Sequence, residues 1–285
     1  MHRPTSLTLC AFLALFASFG CGSTSDTPSN PANTTPAVCD APGYHVDAEP
    51  IQLPKVQAKV SLPTGEVAAD LLMQVCGIDT CLRYFTDDKG VLAKEPPQKL
   101  ERPSLKYGDG FDFAELAIPL DEQNANVGEL IALPLPALAE GSAFPKSGAV
   151  TSGDVTLHIE AGGKVVHDEL TYSDPADLVL RSVAVPVADS PQALPPELGF
   201  ELAYGLAPLG STFCPAAKVS LKNTLNWPPG TEAEIFIQGL DVAEEWAPYG
   251  QWLQVADARV SSDGKSIDTT SGGIPILSSI AVRRK

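Results

Sequence analysis

The stretch Asp154-Val155-Thr156-Leu157-His158-Ile159-Glu160 alternates apolar and polar residues along its length. A pleated strand places successive side chains on opposite faces, so this alternation predicts a strand with one buried and one solvated face. The same pattern recurs at 217–222 and 232–238, with Phe236 as an apolar residue on the face expected to be wet. Such segments are typical of antiparallel sheets that contact solvent on one side.

Turn signals around these segments also favour strands. Asp263-Gly264 separates two short runs, and a two-residue turn of this kind predicts a β-hairpin. The chain contains 26 Pro and 23 Gly but only 2 Met, and the Pro- and Gly-containing stretch at 134–148 predicts a domain boundary. We therefore predict an all-β protein with two β-sandwich domains, at 44–135 and 149–285, each of ordinary domain size.

The N-terminal part of the chain has a different character. A positively charged start precedes an apolar run at 7–19 that is too short to span a bilayer as a helix, which predicts a signal peptide at 1–20. Up to residue 38 the chain then consists almost wholly of Ser, Thr, Pro, Asn, Gly and Ala. This composition buries no core and predicts a flexible linker at 21–43.

Gly20-Cys21 resembles the lipobox of bacterial lipoproteins, in which the cysteine receives diacylglycerol. Ser18 and Phe19 depart from the aliphatic and small residues that the family prefers at those places. The resemblance implies lipidation of Cys21 and a protein anchored to a bacterial membrane in the cell envelope, for which we expect the outer membrane. The alternative is ordinary cleavage nearby, which leaves Cys21 as a spare thiol.

The predicted second domain resembles the ZU-type β-domain, first described in ankyrins and netrin receptors and also seen in bacterial surface proteins. The resemblance is carried by 153–159, 204–213 and the strand around Val219. It departs at 160–163, where the family has a Pro-Gly-Ala turn. The His-Phe-Ser tripeptide at which some relatives cleave themselves does not occur in the sequence.

The predicted first domain resembles a carboxypeptidase-regulatory or transthyretin-like sandwich, through 56–75 followed by Thr86-Asp87-Asp88-Lys89-Gly90. Both resemblances imply scaffolding and binding. Neither implies chemistry, so we predict no enzymatic activity and no cofactor.

The charge of the chain excludes several partners. It has a formal net charge of −16, from 19 Lys plus Arg against 35 Asp plus Glu, and residues 1–20 contribute only Arg3 to that balance. Such a surface repels phosphate backbones and anionic head groups, so we expect no nucleic acid and no electrostatic docking on acidic lipids. The partners that we predict are the membrane, through the lipid anchor, and an envelope glycan or protein.

Four cysteines besides Cys21 lie behind the predicted signal peptide, and an even number there suggests disulfides. Cys76 and Cys81 can pair across a tight loop, which contributes about 2 kcal/mol by loop-closure entropy. Cys39 and Cys214 are then left as the second pair, although four cysteines allow three pairings. Zinc at Cys76 and Cys81 is the alternative, but the sequence offers no second Cys or His pair at ligand spacing, so we predict no metal site.

Catalytic motifs are missing from the sequence, which has no Gly-x-Ser-x-Gly elbow, no His-Glu-x-x-His and no phosphate-binding Gly loop. An alternative function is an envelope metal-dependent hydrolase that uses His158, His167 and Asp168. A further alternative is a calcium-dependent adhesin with ligands at Asp87-Asp88 and 109–112. These Asp residues lack the regular ligand spacing of a calcium loop, and turn formation explains them more simply.

An aromatic cluster, Trp246, Tyr249 and Trp252, provides the ligand-binding candidates. Exposed on a loop, these rings can stack on sugars or on a protein partner, whereas buried rings would plug one end of a sandwich. Pro248 and Gly250 predict a turn there. The sequence thus predicts a lipid-anchored cell-envelope protein that acts as a non-enzymatic structural or binding module.

Overall fold

Strands carry most of the regular structure in the computed structural model, which describes residues 39–167 and 171–285. The first seven, in chain order, are β1 (Val56–Ser61), β2 (Leu72–Cys76), β3 (Cys81–Phe85), β4 (Val91–Lys94), β5 (Ser104–Tyr107), β6 (Leu116–Pro119) and β7 (Asn126–Ile131). The others are β8 (Ser142–Ala143), β9 (Gly148–Ser152), β10 (Val155–Ile159), β11 (Lys164–Val166), β12 (Val179–Ala184), β13 (Leu202–Ala207), β14 (Thr212–Lys222), β15 (Glu232–Gln238), β16 (Trp252–Val260), β17 (Ser266–Gly272), β18 (Ile274–Ile276) and β19 (Ile280–Arg284). Single-turn 3₁₀-helices occur at Leu138–Glu140, Pro175–Asp177, Val187–Asp189 and Pro196–Leu198. The prediction of an all-β protein is confirmed.

The first seven strands form two small sheets. One has the order β4-β1-β7, with β1 antiparallel to β4 and parallel to β7, and the other has the order β3-β2-β5-β6. Apolar side chains from both sheets, among them Val60, Met73, Leu105 and Leu130, belong to one buried cluster. The two sheets therefore enclose a common core.

The remaining twelve strands form one large sheet, along the path β8-β12-β13-β19-β15-β16-β17-β14-β10-β9, with β11 and β18 also paired to β14. Its two ends lie side by side. Ser142 Oγ of β8 donates to the Thr151 carbonyl of β9 at 2.6 Å, and two serines join β9 to β12. The Ser182 N–H donates to Ser152 Oγ at 2.9 Å, and Ser182 Oγ donates to the Ser152 carbonyl at 2.5 Å. The sheet is thus nearly closed and barrel-like, and the prediction of two β-sandwich domains is not confirmed.

Strand β13 is buried on both faces. Leu202, Tyr204 and Leu206 point into the core of the barrel-like sheet, whereas Ala203 and Ala207 join the core of the first two sheets. The sequence pattern alone does not reveal this double burial, because a second layer covers the outer face only in the folded chain. The two layers contact each other through β13, β15 and β19.

The expectation that Phe236 and Gln238 lie on a solvated face of β15 is wrong for the same reason. Phe236 is 7 % exposed and packs edge-on against Phe200, with ring centroids 5.2 Å apart. Gln238 is 1 % exposed. By contrast, the hairpin predicted at Asp263-Gly264 forms as expected between β16 and β17.

Residues Ala37–Lys285 group into one compact unit. The core of the first two sheets includes residues from the later part of the chain, among them Leu194, Phe200 and Ala281. The division into domains at 44–135 and 149–285 stays a prediction. The predicted signal peptide at 1–20, the lipidated Cys21 and the linker up to residue 38 lie outside the described residues.

Candidate functional site

A cleft of about 440 Å³ opens between the sheet β3-β2-β5-β6 and the barrel-like sheet. Its volume lies in the range typical of small-molecule sites. One wall carries the charged side chains Lys106, Asp109 and Glu115, and the opposite wall carries Leu240, Trp246 and Leu277. Hereafter "the cleft" means the space between these two walls.

A buried ion pair lies in the charged wall. Lys106 Nζ lies 2.7 Å from Glu115 Oε1, with 12 % and 7 % of the two side chains exposed. Lys106 also donates to the Leu240 carbonyl at 3.1 Å, which ties the charged wall to the apolar one. Burial raises the pKa of Glu115, and the nearby Asp109 raises it further, while Lys106 acts in the opposite direction.

Buried polar side chains of the barrel-like sheet join β6 behind the cleft. Gln238 accepts from the Ala117 N–H at 3.1 Å and donates to the Ala117 carbonyl at 2.7 Å, so its amide pairs with β6 as a neighbouring strand would. Ser279 Oγ donates to the Glu115 carbonyl at 2.8 Å. These bonds fix the spacing of the two walls, which favours a site formed before a ligand arrives.

The loop that presents Trp246 is held by Glu244. This residue adopts φ +54° and is fully buried, and its carboxylate pairs with Arg102. It also accepts from the Tyr249 N–H at 2.6 Å and lies 3.5 Å from His45 Nδ1. Burial alone would raise the pKa of Glu244, but the hydrogen bonds from Arg102 and Tyr249 and the positive charge of Arg102 lower it overall. The carboxylate therefore stays charged, and the loop keeps its shape.

The three aromatic candidates do not form one cluster. Trp246 lines the cleft and is partly exposed. Tyr249 is 2 % exposed, and its hydroxyl has no hydrogen-bond partner among the described residues. Trp252 packs on Phe200 with centroids 5.1 Å apart and donates Nε1–H to the Ala193 carbonyl at 2.9 Å. Only Trp246 of the three borders the cleft.

The histidines proposed for a hydrolase bind different serines. His158 Nε2 lies 2.9 Å from Ser220 Oγ, whereas His167 Nδ1 lies 2.8 Å from Ser211 Oγ. Ser220 lies near the far end of β14 and Ser211 just before its start, and burial lowers the pKa of His167. Asp168 lies outside the described residues, and 39–167 and 171–285 contain no group of three or more His, Cys, Asp or Glu side chains able to hold a metal.

The acidic turns considered for calcium use a carboxylate oxygen to bind their own backbone. Asp87 Oδ1 accepts from the N–H groups of Lys89 and Val91, at 2.9 and 2.8 Å, and these bonds lower the pKa of Asp87. Asp109 Oδ1 accepts from three successive N–H groups, those of residues 111 to 113. Both patterns are those expected of turns.

The four cysteines pair as expected from the sequence. Cys76 and Cys81 face each other across β2 and β3, with Cα atoms 4.0 Å apart. Cys39 joins Cys214, 175 residues away, with Cα atoms 5.3 Å apart. The segment after Cys39 continues along the Trp246 loop, because the N–H groups of residues 43 and 44 donate to the carbonyls of residues 245 and 244, at 3.0 and 2.8 Å.

The sequence indicates Trp246 as a candidate residue, but it does not indicate the charged wall of the cleft. Lys106, Asp109 and Glu115 come from β5 and the turn before β6, and 94 or more positions of sequence separate them from the leucines and the tryptophan of the opposite wall. No sequence motif marks them, because each looks like an ordinary charged residue beside a strand. Their burial, which only the fold reveals, identifies them.

Comparisons with known proteins found no match to a family model, a curated protein or a solved structure. The resemblances to the regulatory and ZU-type domains therefore stay predictions. Within the described part of the chain, no helix is both long enough and apolar enough to cross a bilayer.

Proposed function

We propose that this chain is a lipid-anchored cell-envelope protein that binds a ligand in the cleft and has no enzymatic activity of its own. The observation that carries the binding role is the cleft itself. It has the volume of a small-molecule site, an apolar wall, an aromatic side chain and a few fixed polar groups, a combination typical of ligand pockets.

The proposed location rests on the N-terminus and the disulfides. The apolar run at 7–19 followed by Gly20-Cys21 supports export and lipidation. The pairs Cys39–Cys214 and Cys76–Cys81 fit an oxidising compartment, where such bonds persist. Each buried acyl methylene adds about 0.8 kcal/mol, so a multiply acylated Cys21 would hold the protein on the membrane durably.

The proposed absence of catalysis rests on how the cleft's charged groups are engaged. Glu115 is neutralised by Lys106, Lys106 is bound a second time by the Leu240 carbonyl, and Asp109 holds its own turn. General acid–base catalysis needs a group that can exchange a proton with a substrate. Groups that are already bonded to one another are better suited to positioning a ligand.

Metabolic labelling with radioactive palmitate tests the anchor. The native chain should carry the label, and the Cys21→Ala variant should not, because that substitution removes the only proposed acceptor. Label in both proteins, or in neither, would refute lipidation at Cys21.

An array of envelope glycans and peptidoglycan fragments tests the binding role. We expect the native chain to give a signal that Trp246→Ala reduces, since Trp246 forms part of the apolar wall. Phe85→Ala is the matched control, because Phe85 is an aromatic side chain, 55 % exposed, that does not line the cleft. Equal signals from the Trp246 and Phe85 variants would remove the cleft as the binding site.

A further inference from the structure

We propose that the cleft selects small organic cations, that is, ligands with an ammonium or guanidinium group on an apolar body. This inference rests on the proposed binding function and specifies its ligand. Two features support it: the balance of charge around the cleft and the composition of its apolar wall.

Carboxylates outnumber cationic side chains around the cleft. Asp109, Glu115, Asp241 and Glu245 line it, and Lys106 is the one Lys or Arg among the described lining residues. Lys106 already forms an ion pair with Glu115 and donates a hydrogen bond to a backbone carbonyl. The cleft therefore has an excess of negative charge.

The excess is located at the rim of the cleft. Asp109 Oδ1 already accepts from the N–H groups of residues 111 to 113, so this oxygen is occupied by its own turn. Asp241 and Glu245 are exposed, and no ion pair between them and a cationic side chain occurs in 39–167 or 171–285. Asp241 and Glu245 line the rim of the cleft, although Asp241 Oδ1 also accepts from the Ala243 N–H at 2.9 Å. The net charge of −16 on the whole chain adds to the attraction for cations.

The apolar wall suits the body of such a ligand. Leu209, Leu240 and Leu277 supply aliphatic surface, and Trp246 supplies an aromatic ring next to Glu245 in the chain. The indole face attracts cations that lose water on entering a pocket. A ligand with both an apolar body and a positive charge would satisfy both parts of the cleft.

Anions fit the same cleft poorly. They would approach the carboxylates of Asp241 and Glu245, and Lys106 already uses two of its three N–H groups for Glu115 and the Leu240 carbonyl. A neutral ligand would gain the apolar contacts, but it would not pair with the negatively charged carboxylates at the rim. The proposal thus predicts an order of affinity: cation above neutral molecule above anion.

Isothermal titration with three probes of one shape tests this order. Phenethylamine, phenethyl alcohol and hydrocinnamate share an aromatic body and differ in charge. We expect phenethylamine to bind most tightly, with an affinity that falls as salt is added, because the rim carboxylates are exposed. Hydrocinnamate should show no measurable binding.

Two variants localise the effect. The double variant Asp241→Asn, Glu245→Gln should weaken phenethylamine binding about fivefold, from two exposed charge interactions. Trp246→Ala should weaken it about tenfold, from the loss of the ring. The double variant Asp189→Asn, Glu197→Gln is the matched control, because it removes two exposed carboxylates that do not line the cleft and should leave the affinity unchanged.

Several results would overturn the proposal. These are equal binding of the amine and the alcohol, tighter binding of the carboxylate, no binding of the amine, or equal effects of the two double variants. Equal binding of amine and alcohol, lost in Trp246→Ala, would reject the cationic ligand and still leave the cleft as a binding site. Failure of the array and palmitate experiments would instead count against the proposed function.

Discussion

Glu244 illustrates how a single residue sets the geometry of the candidate site. Its side chain is fully buried, yet it is charged, because Arg102 and a backbone N–H bind its two oxygens. The backbone of residue 244 is in the left-handed region, at φ +54°, so the loop that carries Trp246 turns sharply there. The ion pair thus links the segment before β5 to a loop of the barrel-like sheet.

Removing Arg102 should destabilise the protein strongly. Arg102→Met leaves the buried Glu244 carboxylate without its cation, and we expect a loss of about 3 kcal/mol in the free energy of unfolding, measured by urea denaturation. Arg259→Met is the control, because Arg259 pairs with Glu232 where both side chains are 55 % exposed. That change should cost less than about 1 kcal/mol. Similar losses in the two variants would contradict a structural role for the buried pair.

The pH dependence of stability should carry the signature of Glu244. Its folded-state pKa is lowered from the usual 4.5, so the unfolded chain takes up the proton first as the pH falls. The stabilisation is complete above pH 4.5 and is lost as the pH falls through the lower, folded-state pKa. In Glu244→Gln the stability should therefore fall less steeply with pH in this acidic window. Parallel curves for the native chain and the variant, from urea denaturation at several pH values, would show that Glu244 makes no such contribution.

At the scale of elements, the seam between β9 and β12 is the weakest closure in the barrel-like sheet. The two strands are joined there by Ser152 and Ser182, and the continuous ladder runs around the other side. Ser152 is 7 % exposed and Ser182 is 6 % exposed, so water cannot readily replace their bonds. We expect the sheet to open first at this seam.

Ser152→Ala tests the seam. The substitution leaves the buried Ser182 N–H without its acceptor, and we expect a loss of about 1–3 kcal/mol, the cost of an unpaired buried polar group. Hydrogen exchange should also become faster at the amides of β9 and β12. Ser271→Ala is the control, because Ser271 is exposed and bonds only to the Asp257 side chain. Unchanged exchange in Ser152→Ala would indicate that other contacts close the sheet.

Strand alternation in the sequence was informative where one face of the strand is solvated. It located β10 and the C-terminal half of β14 correctly, because the polar side chains of these segments contact water. It failed at Phe236 and Gln238, because that face of β15 packs against the core of the first two sheets, where Gln238 bonds to Ala117 across 121 positions of sequence. The same distance hides the cleft, since Lys106 and Trp246 become neighbours only when the layers pack. The disulfides were easier to predict from the sequence, because the short spacing of Cys76 and Cys81 favours a bond between them. Once these two are paired, Cys39 and Cys214 form the second of the possible pairs.

At the scale of the whole molecule, the disulfides should contribute very differently. Cys39–Cys214 closes a loop with a sequence separation of 175, for which chain entropy gives about 5 kcal/mol. Cys76–Cys81 spans a separation of only 5 and gives about 2 kcal/mol.

Paired Ser variants test this difference. Cys39→Ser with Cys214→Ser should therefore lower the melting temperature more than Cys76→Ser with Cys81→Ser, as measured by calorimetry. The reverse order would mean that local packing, rather than loop closure, decides the contribution of each bond.

The Cys39–Cys214 bond also connects the anchor to the binding site in the proposed account. It fastens residue 39, 18 positions after the proposed lipid acceptor, to the start of β14, where Thr212 lines the cleft. The segment that follows runs beside the Trp246 loop. A ligand in the cleft would thus be held close to the point where the folded part joins its anchor.

Intact-mass spectrometry of the protein recovered from cells tests the proposed export and anchoring, on which its role as a cell-envelope protein depends. We predict a membrane-bound product that begins at Cys21, carries diacylglycerol and fatty acyl mass on that residue, and has four cysteines oxidised. A soluble product from the cytosolic fraction, with Met1 retained, no added lipid mass and reduced thiols, would contradict it.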